Sequence, residues 1–208
     1  MSTRDTAMTT VQKIRTTWAA AAAAALALSM AGPAAAESRG AAPPARAGST
    51  VSVTSASGGY RVEGSFRVDA PATVVWAVLT DYDRVSSFVS SMRSSTARRE
   101  SGRLLVTQEA VGRAGPFSRT MRVVLEVTED APERISFRDV CGGSFHSYAG
   151  SWTIARDGDG LRITYALDAR PRSSPPLFAR SIMASNARQL LEQVRTEILR
   201  RGQAPATH

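Results

Sequence analysis

LFARSIMASNARQLLEQVRTEILRR, Leu177 to Arg201, is the stretch on which the fold turns. Phe178, Ile182, Met183, Asn186, Leu190, Leu191, Val194 and Ile198 recur at steps of three and four, the spacing of a single helical face. The opposite face carries Arg180, Arg188, Glu192, Arg195 and Arg201. Ser174 is a ready N-cap, and Pro175-Pro176 suits a first turn whose N–H groups lack partners in any case. These signals predict one amphipathic helix of about 24 residues, roughly 36 Å long at 1.5 Å per residue. It is the only segment long enough to lie across a whole sheet.

Working back from this helix, the pattern changes to period two. Strands are expected near Met92–Glu100, Arg103–Val111, Phe117–Thr128, Arg134–Val140, Phe145–Arg156 and Leu161–Asp168. The breaks between them are turn-like, among them Ser101-Gly102, Cys141-Gly142-Gly143 and Asp157-Gly-Asp-Gly160. Short connections predict an antiparallel meander. Upstream, Val51–Val53 and Tyr60–Val68 alternate around Ser57-Gly58-Gly59 and predict a hairpin. Pro71 suits a first helical position, followed by Val74, Val75, Val78 and Leu79 at helical spacing. Thr80-Asp81-Tyr82-Asp83 ends that helix, and Val85 to Val89 forms a second, shorter one. Asp81 and Asp83 read as capping and turn residues rather than a catalytic carboxylate pair.

The result is an α+β fold, a curved antiparallel sheet of about seven strands around one long helix, with two short helices after the first long strand. A twisted sheet wrapped around one helix leaves space on its concave side unless large side chains fill it. Alternation through Trp152 and Ile154 places Tyr148 and His146 on the inner face. Alternation through Val123, Leu125 and Val127 brings Met121 and Arg119 with them. Phe137 and Tyr165 share the phase on their strands. With Phe178, Ile182 and Met183 from the helix, these residues suit either a solid core or the wall of a pocket for a lipophilic molecule.

Ahead of the domain, Lys13 and Arg15 precede the apolar run Ala19 to Met30, and Ala34-Ala35-Ala36 offers small residues for cleavage. That order predicts a secretory signal peptide over residues 1–36 and a periplasmic or secreted protein. No twin arginine precedes the run and no cysteine lies near the cleavage site, so general secretion without a lipid anchor is expected. Residues 37–50, rich in Ala, Pro, Gly and Arg, read as a flexible linker, 51–203 as the folded domain, and 204–208 as a disordered tail.

The whole chain carries 26 basic and 18 acidic side chains, a net +8. Without residues 1–36 the balance is 23 to 17, and every remaining basic residue is arginine. These arginines alternate with acids, as in Arg98-Arg99-Glu100 and Arg138-Asp139, and no basic stretch carries interleaved aromatics. Nucleic-acid binding is therefore not expected, whereas transient contact with an anionic membrane surface is compatible with the charge. A lone cysteine, Cys141, excludes an internal disulfide and reads as a small buried filler or unreactive rim thiol. With two histidines, His146 and His208, no metal-ligand spacing is present. No cofactor motif, serine elbow or phosphate loop appears.

The segment Val68-Asp-Ala-Pro-Ala-Thr-Val-Val-Trp-Ala-Val-Leu-Thr-Asp-Tyr-Asp-Arg84, followed by Phe88-Val89, resembles the opening of the START-like (SRPBCC) superfamily. Its nearest likeness is to the branch of polyketide cyclase/dehydrase and coenzyme-Q-binding proteins. Val123–Val127, Gly150-Ser-Trp152, the Leu161–Leu167 strand and the final helix extend the resemblance over Tyr60 to Arg201. The resemblance implies a helix-grip fold over a deep hydrophobic cavity. One departure is Ser90-Ser91, where relatives often place a proline.

Function is expected to be binding or carriage of a lipophilic small molecule, such as a lipid, polyprenyl quinone or polycyclic compound, by a monomer. The alternatives are an aromatase/cyclase-type enzyme and an envelope module that binds anionic lipid or protein. In the enzymatic reading His146, Tyr148 or Arg119 supplies acid/base chemistry, although no residue is assigned as catalytic. Arg119 otherwise suits a ligand carboxylate or headgroup phosphate. Trp76 reads first as packing between the first short helix and the sheet, and second as a pocket residue.

Overall fold

The computed structural model describes residues 48–203 except 57, 115–116 and 173–178, with no side chains described at 56, 113–114 and 117–119. The expected signal peptide, most of the linker, the tail, Ser174-Pro175-Pro176 and Phe178 lie outside these residues. Eight strands form one antiparallel sheet rather than about seven: β1 (Thr50–Ala56), β2 (Gly59–Val68), β3 (Met92–Glu100), β4 (Arg103–Ala114), β5 (Phe117–Asp130), β6 (Arg134–Asp139), β7 (Phe145–Asp157) and β8 (Gly160–Pro171). The helices are α1 (Ala72–Leu79), the four-residue α2 (Val85–Phe88) and the long α3 (Ala179–Gly202). A 3₁₀ turn at Tyr82–Arg84 links α1 to α2.

The spatial order is β1-β2-β8-β7-β6-β5-β4-β3. The meander from β3 to β8 is the one its short turns dictate, and β8 then pairs with β2. The α1–α2 segment carries the chain from β2 to the opposite edge, where β3 begins. This element order and strand order agree with the helix-grip fold that the resemblance implies. The eighth strand arises because Thr50–Ala56 pairs along its whole length with Gly59–Ser65.

Inner-face pairs are apolar in register, including Val62 with Leu167, Phe66 with Ile163 and Val106 with Leu125. Helix α3 meets this face chiefly over β1 and β2. It packs tightly at Gly64, where a β-carbon would stand 2.6 Å from Leu191 Cδ1 and 2.9 Å from the Thr50 carbonyl oxygen. Only glycine leaves that gap, so Leu191 lies directly on the strand and is fully buried. Val194, Ile198, Val75 and Val78 complete the buried core at this end.

The outer face is charged and paired. Arg61 bonds Asp168 at 2.9 Å, Arg162 bonds Asp157 at 2.6 Å, and Glu126 receives both Arg103 and Arg138. Exposed pairs of this kind contribute little each; they show that the basic excess is largely distributed among acids.

One ionic cluster sits at the join of the helices. Glu197 on α3 is buried and accepts bonds of 2.7 Å from Arg200 and 2.6 Å from Arg201. Arg201 Nη2 also stands 2.8 Å from Asp81 Oδ2, out of hydrogen-bond alignment, so that contact is ionic. Its guanidinium lies 5.8 Å from the centre of the Phe88 ring. Asp81 makes no side-chain cap. Asp83 instead accepts the Ala97 N–H at 2.7 Å. Both aspartates lie in the expected turn, but the expected side-chain capping is corrected: Asp81 contacts α3 and Asp83 contacts β3 instead.

Arg200, then Arg201, hold the Glu197 carboxyl down at about 2 against the opposing effect of burial. The folded state thus binds this proton less readily than the unfolded chain, whose carboxyl titrates near 4.5. The stabilisation is complete above that value and drains away as pH falls towards 2. Glu197→Gln is expected to cost about 1–3 kcal/mol at neutral pH. It should also flatten the acid decline between about pH 5 and pH 2, as read by urea unfolding at stepped pH.

Candidate functional site

The two halves of α3 do different work. Its C-terminal half is buried at Leu191, Val194 and Ile198, with only Val194 touching a smaller lobe, whereas its N-terminal half stands over a hollow of about 340 Å³ walled by Ile182, Met183, Asn186, Ala187 and Leu190. A second lobe of about 130 Å³ lies under α1 and α2, beside Val78, Tyr82, Phe88 and Leu190. Val89, Met92, Tyr148, Tyr165 and Leu190 border both lobes. The larger lobe falls in the range typical of small-molecule sites, and its wall is mainly aliphatic and aromatic.

The aromatic part of the wall comes from β6, β7 and β8. Trp152 pairs with Tyr165 across the β7–β8 ladder, and their rings stand 4.6 Å apart. Phe137 pairs with Gly150 across the β6–β7 ladder. A β-carbon on Gly150 would come within 2.7 Å of the Phe137 ring and 2.2 Å of the Ala166 carbonyl oxygen. The missing side chain therefore lets Phe137 lie down between its neighbours, 6.1 Å from Tyr148 and 6.4 Å from Tyr165. Phe145 closes the row, 4.8 Å from Tyr148.

Two hydroxyls sit in this row. Tyr165 is 5 % exposed, while Tyr148 keeps an intermediate exposure although it borders the hollow rather than the outer surface. Burial raises both phenols above their ordinary range. Both therefore remain neutral donors at any ordinary pH. Tyr82 is also pushed up, by burial first and then by its 2.7 Å bond to Glu129.

The sequence-predicted residues divide accordingly. Met121, Phe137, Tyr148, Trp152, Tyr165, Ile182 and Met183 all border the hollow. His146 does not. The β7–β8 register slips between Phe145 and Ser147, so the extra residue reverses the alternation at the start of β7. Phe145 turns inward and His146 is exposed on the outer side. Trp76 packs against the core from α1 and borders neither lobe. The Arg119 side chain and all of Phe178 lie outside the described parts. Arg119 itself pairs with Gly112 on β4. Cys141 is exposed, correcting the buried alternative; its thiol lies 3.2 Å from Asp139.

Many wall residues were missed, among them Phe145, Tyr60 and Ala110. Phe145 is hidden by the slip, which depends on the partner strand. Tyr60 opens β2 beside the glycine turn, and Ala110 gives no hydrophobic signal of its own. Among the described residues no cluster of three or more His, Cys, Asp or Glu is placed to hold a metal. No helix there is long and apolar enough to cross a membrane.

Residues 59–199 match the family model described as "Polyketide cyclase / dehydrase and lipid transport". Among curated proteins no sequence matches this chain significantly. Solved structures do resemble it. A STAR-related lipid transfer protein from Xanthomonas axonopodis is 20% identical, with a TM-score of 0.59 over 76% of this chain and 97% of its own. A START superfamily protein from Mycobacterium smegmatis is 14% identical, with a TM-score of 0.57 over 67% of this chain and 97% of its own. The Zhui aromatase/cyclase from a Streptomyces species is 20% identical, with a TM-score of 0.56 over 70% of this chain and 97% of its own. Likeness at such identities establishes the fold. The family match, spanning the strands, the short helices and nearly all of α3, places this chain in the polyketide cyclase/dehydrase and lipid transport family of START-like proteins.

Proposed function

We propose that the protein is an exported binder or carrier of a lipophilic small molecule, held in the hollow beneath the N-terminal half of α3. The observation that carries this reading is the contrast along one helix. Leu191, Val194 and Ile198 are packed to near-zero exposure, while Ile182, Met183 and Leu190 face open space. Protein interiors are close-packed as a rule, so a hollow of about 340 Å³ with a predominantly apolar wall calls for an occupant. Family membership and the lipid-transfer name of one structural neighbour point the same way.

The aromatase/cyclase reading draws support from the name of another neighbour. It loses one of its three expected acid/base groups, because His146 faces away from the hollow, while Tyr148 borders it. Binding without turnover is therefore preferred. Export rests on the signal-peptide pattern of residues 1–36, and contact with an anionic membrane surface would serve loading.

Native mass spectrometry of protein isolated without organic solvent from its own cells tests the reading. A co-purifying apolar molecule in a one-to-one complex is the expected result. Protein that is empty as isolated, and that takes up no lipophile when challenged with a lipid extract, would overturn it.

A further inference from the structure

Between residues 48 and 203 the chain carries 21 arginines, no lysine and 16 acids. They are not evenly spread. The antiparallel register gathers the start of β2, the β4–β5 hairpin, the β6–β7 turn and the end of β8 at one end of the sheet. Gly112 pairs with Arg119 there, Tyr60 with Ala169, and Phe145 with Pro171. The start of α3 joins them, since Ala179 borders the larger lobe beside Ser144 and Pro171. Residues 59–61, 110–122, 139–148, 168–172 and 179–182 together hold seven of the arginines against two acids, Asp139 and Asp168. The remainder holds 14 arginines and 14 acids. The whole positive excess of the domain therefore belongs to this end.

The bonding partners differ as well. Elsewhere carboxylates collect arginines: Glu126 receives Arg103 and Arg138, and Glu197 receives Arg200 and Arg201. At this end Arg61 bonds Asp168, but Arg172 bonds the Gly142 carbonyl at 2.6 Å and Arg180 the Val53 carbonyl at 3.1 Å. A neutral carbonyl orients a guanidinium without cancelling its charge. Arg122, Arg172 and Arg180 are all exposed. The larger lobe reaches the same end, where Gly112, Ser144, Pro171 and Ala179 form part of its wall.

Resting on the lipophile-binding reading above, we propose that this end is the face by which the protein docks on an anionic phospholipid bilayer, hollow towards the lipid. Arginines from separate segments, gathered about the end of a hollow, meet a charged surface at several points. The rest of the domain is balanced in charge and adds no competing attraction. The field of the molecule thus presents this end first.

Flotation of the purified protein with vesicles tests the face, using phosphatidylcholine alone and a mixture with about one-third phosphatidylglycerol. Binding to the anionic vesicles only, lost in about 0.5 M salt, is the expected result. Arg119→Gln/Arg122→Gln/Arg172→Gln should weaken it about 100-fold, close to fivefold for each charge removed. Arg98→Gln/Arg156→Gln/Arg162→Gln removes the same charge from the opposite end and should change binding by less than about threefold. If the first triple variant melts early, Arg122→Gln alone decides, with an expected loss of about fivefold. Equal losses in the two triple variants, salt-independent binding to pure phosphatidylcholine, or equally tight binding to a DNA duplex overturns the docking face. Protein that ignores vesicles yet carries a lipophile in native mass spectrometry loses the face and keeps the binding reading. Protein that docks but never takes up a lipophile keeps the face and loses that reading.

Discussion

Leu191→Ala is expected to remove about 2–5 kcal/mol of stability. Leu191 has no exposure and its Cδ1 fills the notch left by Gly64 on β2. Truncation deletes apolar contacts and leaves a void that backbone on one side and helix on the other cannot close. Two turns earlier on the same helix, Met183→Ala should cost less than about 1.5 kcal/mol, because Met183 borders space already open. Urea unfolding of the two variants makes the comparison, with the midpoint moving and the slope unchanged in both. Equal losses would mean that α3 is packed uniformly along its length. The contrast between a packed and an overhanging half would then be wrong.

Much of this architecture was legible because it rests on period and turn chemistry. The amphipathic spacing from Ile182 to Ile198 specified the long helix, and the glycine-rich breaks specified the meander. Five residues named from strand phase do border the hollow, since alternation is reliable within an unbroken ladder, and Ile182 and Met183 join them from the helical period. Where the ladder is broken, phase fails. His146 was assigned from Trp152 by counting back in twos, and one slipped residue between Phe145 and Ser147 moved it outside. Trp76 was legible as core and became a pocket candidate only through its size. Asp81 reads locally as a helix-ending residue, yet its partner Arg201 is 120 positions away. No local rule can find that contact. The eighth strand was present in the expected hairpin, but whether Thr50–Ala56 joins the sheet depends on its full pairing with β2.

Filling the hollow should have the opposite signature to cutting the core. Ala110 on β4 borders the larger lobe and lies between Met92 on β3 and Met121 on β5. Ala110→Phe would place a ring in the open space without displacing the backbone, and an aromatic is favourable in a strand. In a solid core the same change costs about 1–3 kcal/mol through overpacking. Here stability is expected to stay level or to rise by up to about 1 kcal/mol, because the new ring buries apolar surface against the aromatic and methionine wall. Binding of any lipophile in that lobe should fall by at least about 100-fold, or ~2.7 kcal/mol, since ring and ligand compete for one volume. Loss of binding with retained stability distinguishes a site from a defect in folding.

Titration of 9-fluorenone, a small apolar probe, into the unmodified protein and into Ala110→Phe, with thermal unfolding of both, is the decisive measurement. Saturable one-to-one binding to the first, its loss in the second, and an unfolding midpoint at least as high in the second are predicted. A variant that binds as before, or that unfolds several degrees earlier as an overpacked interior would, contradicts the existence of a ligand-holding hollow beneath α3.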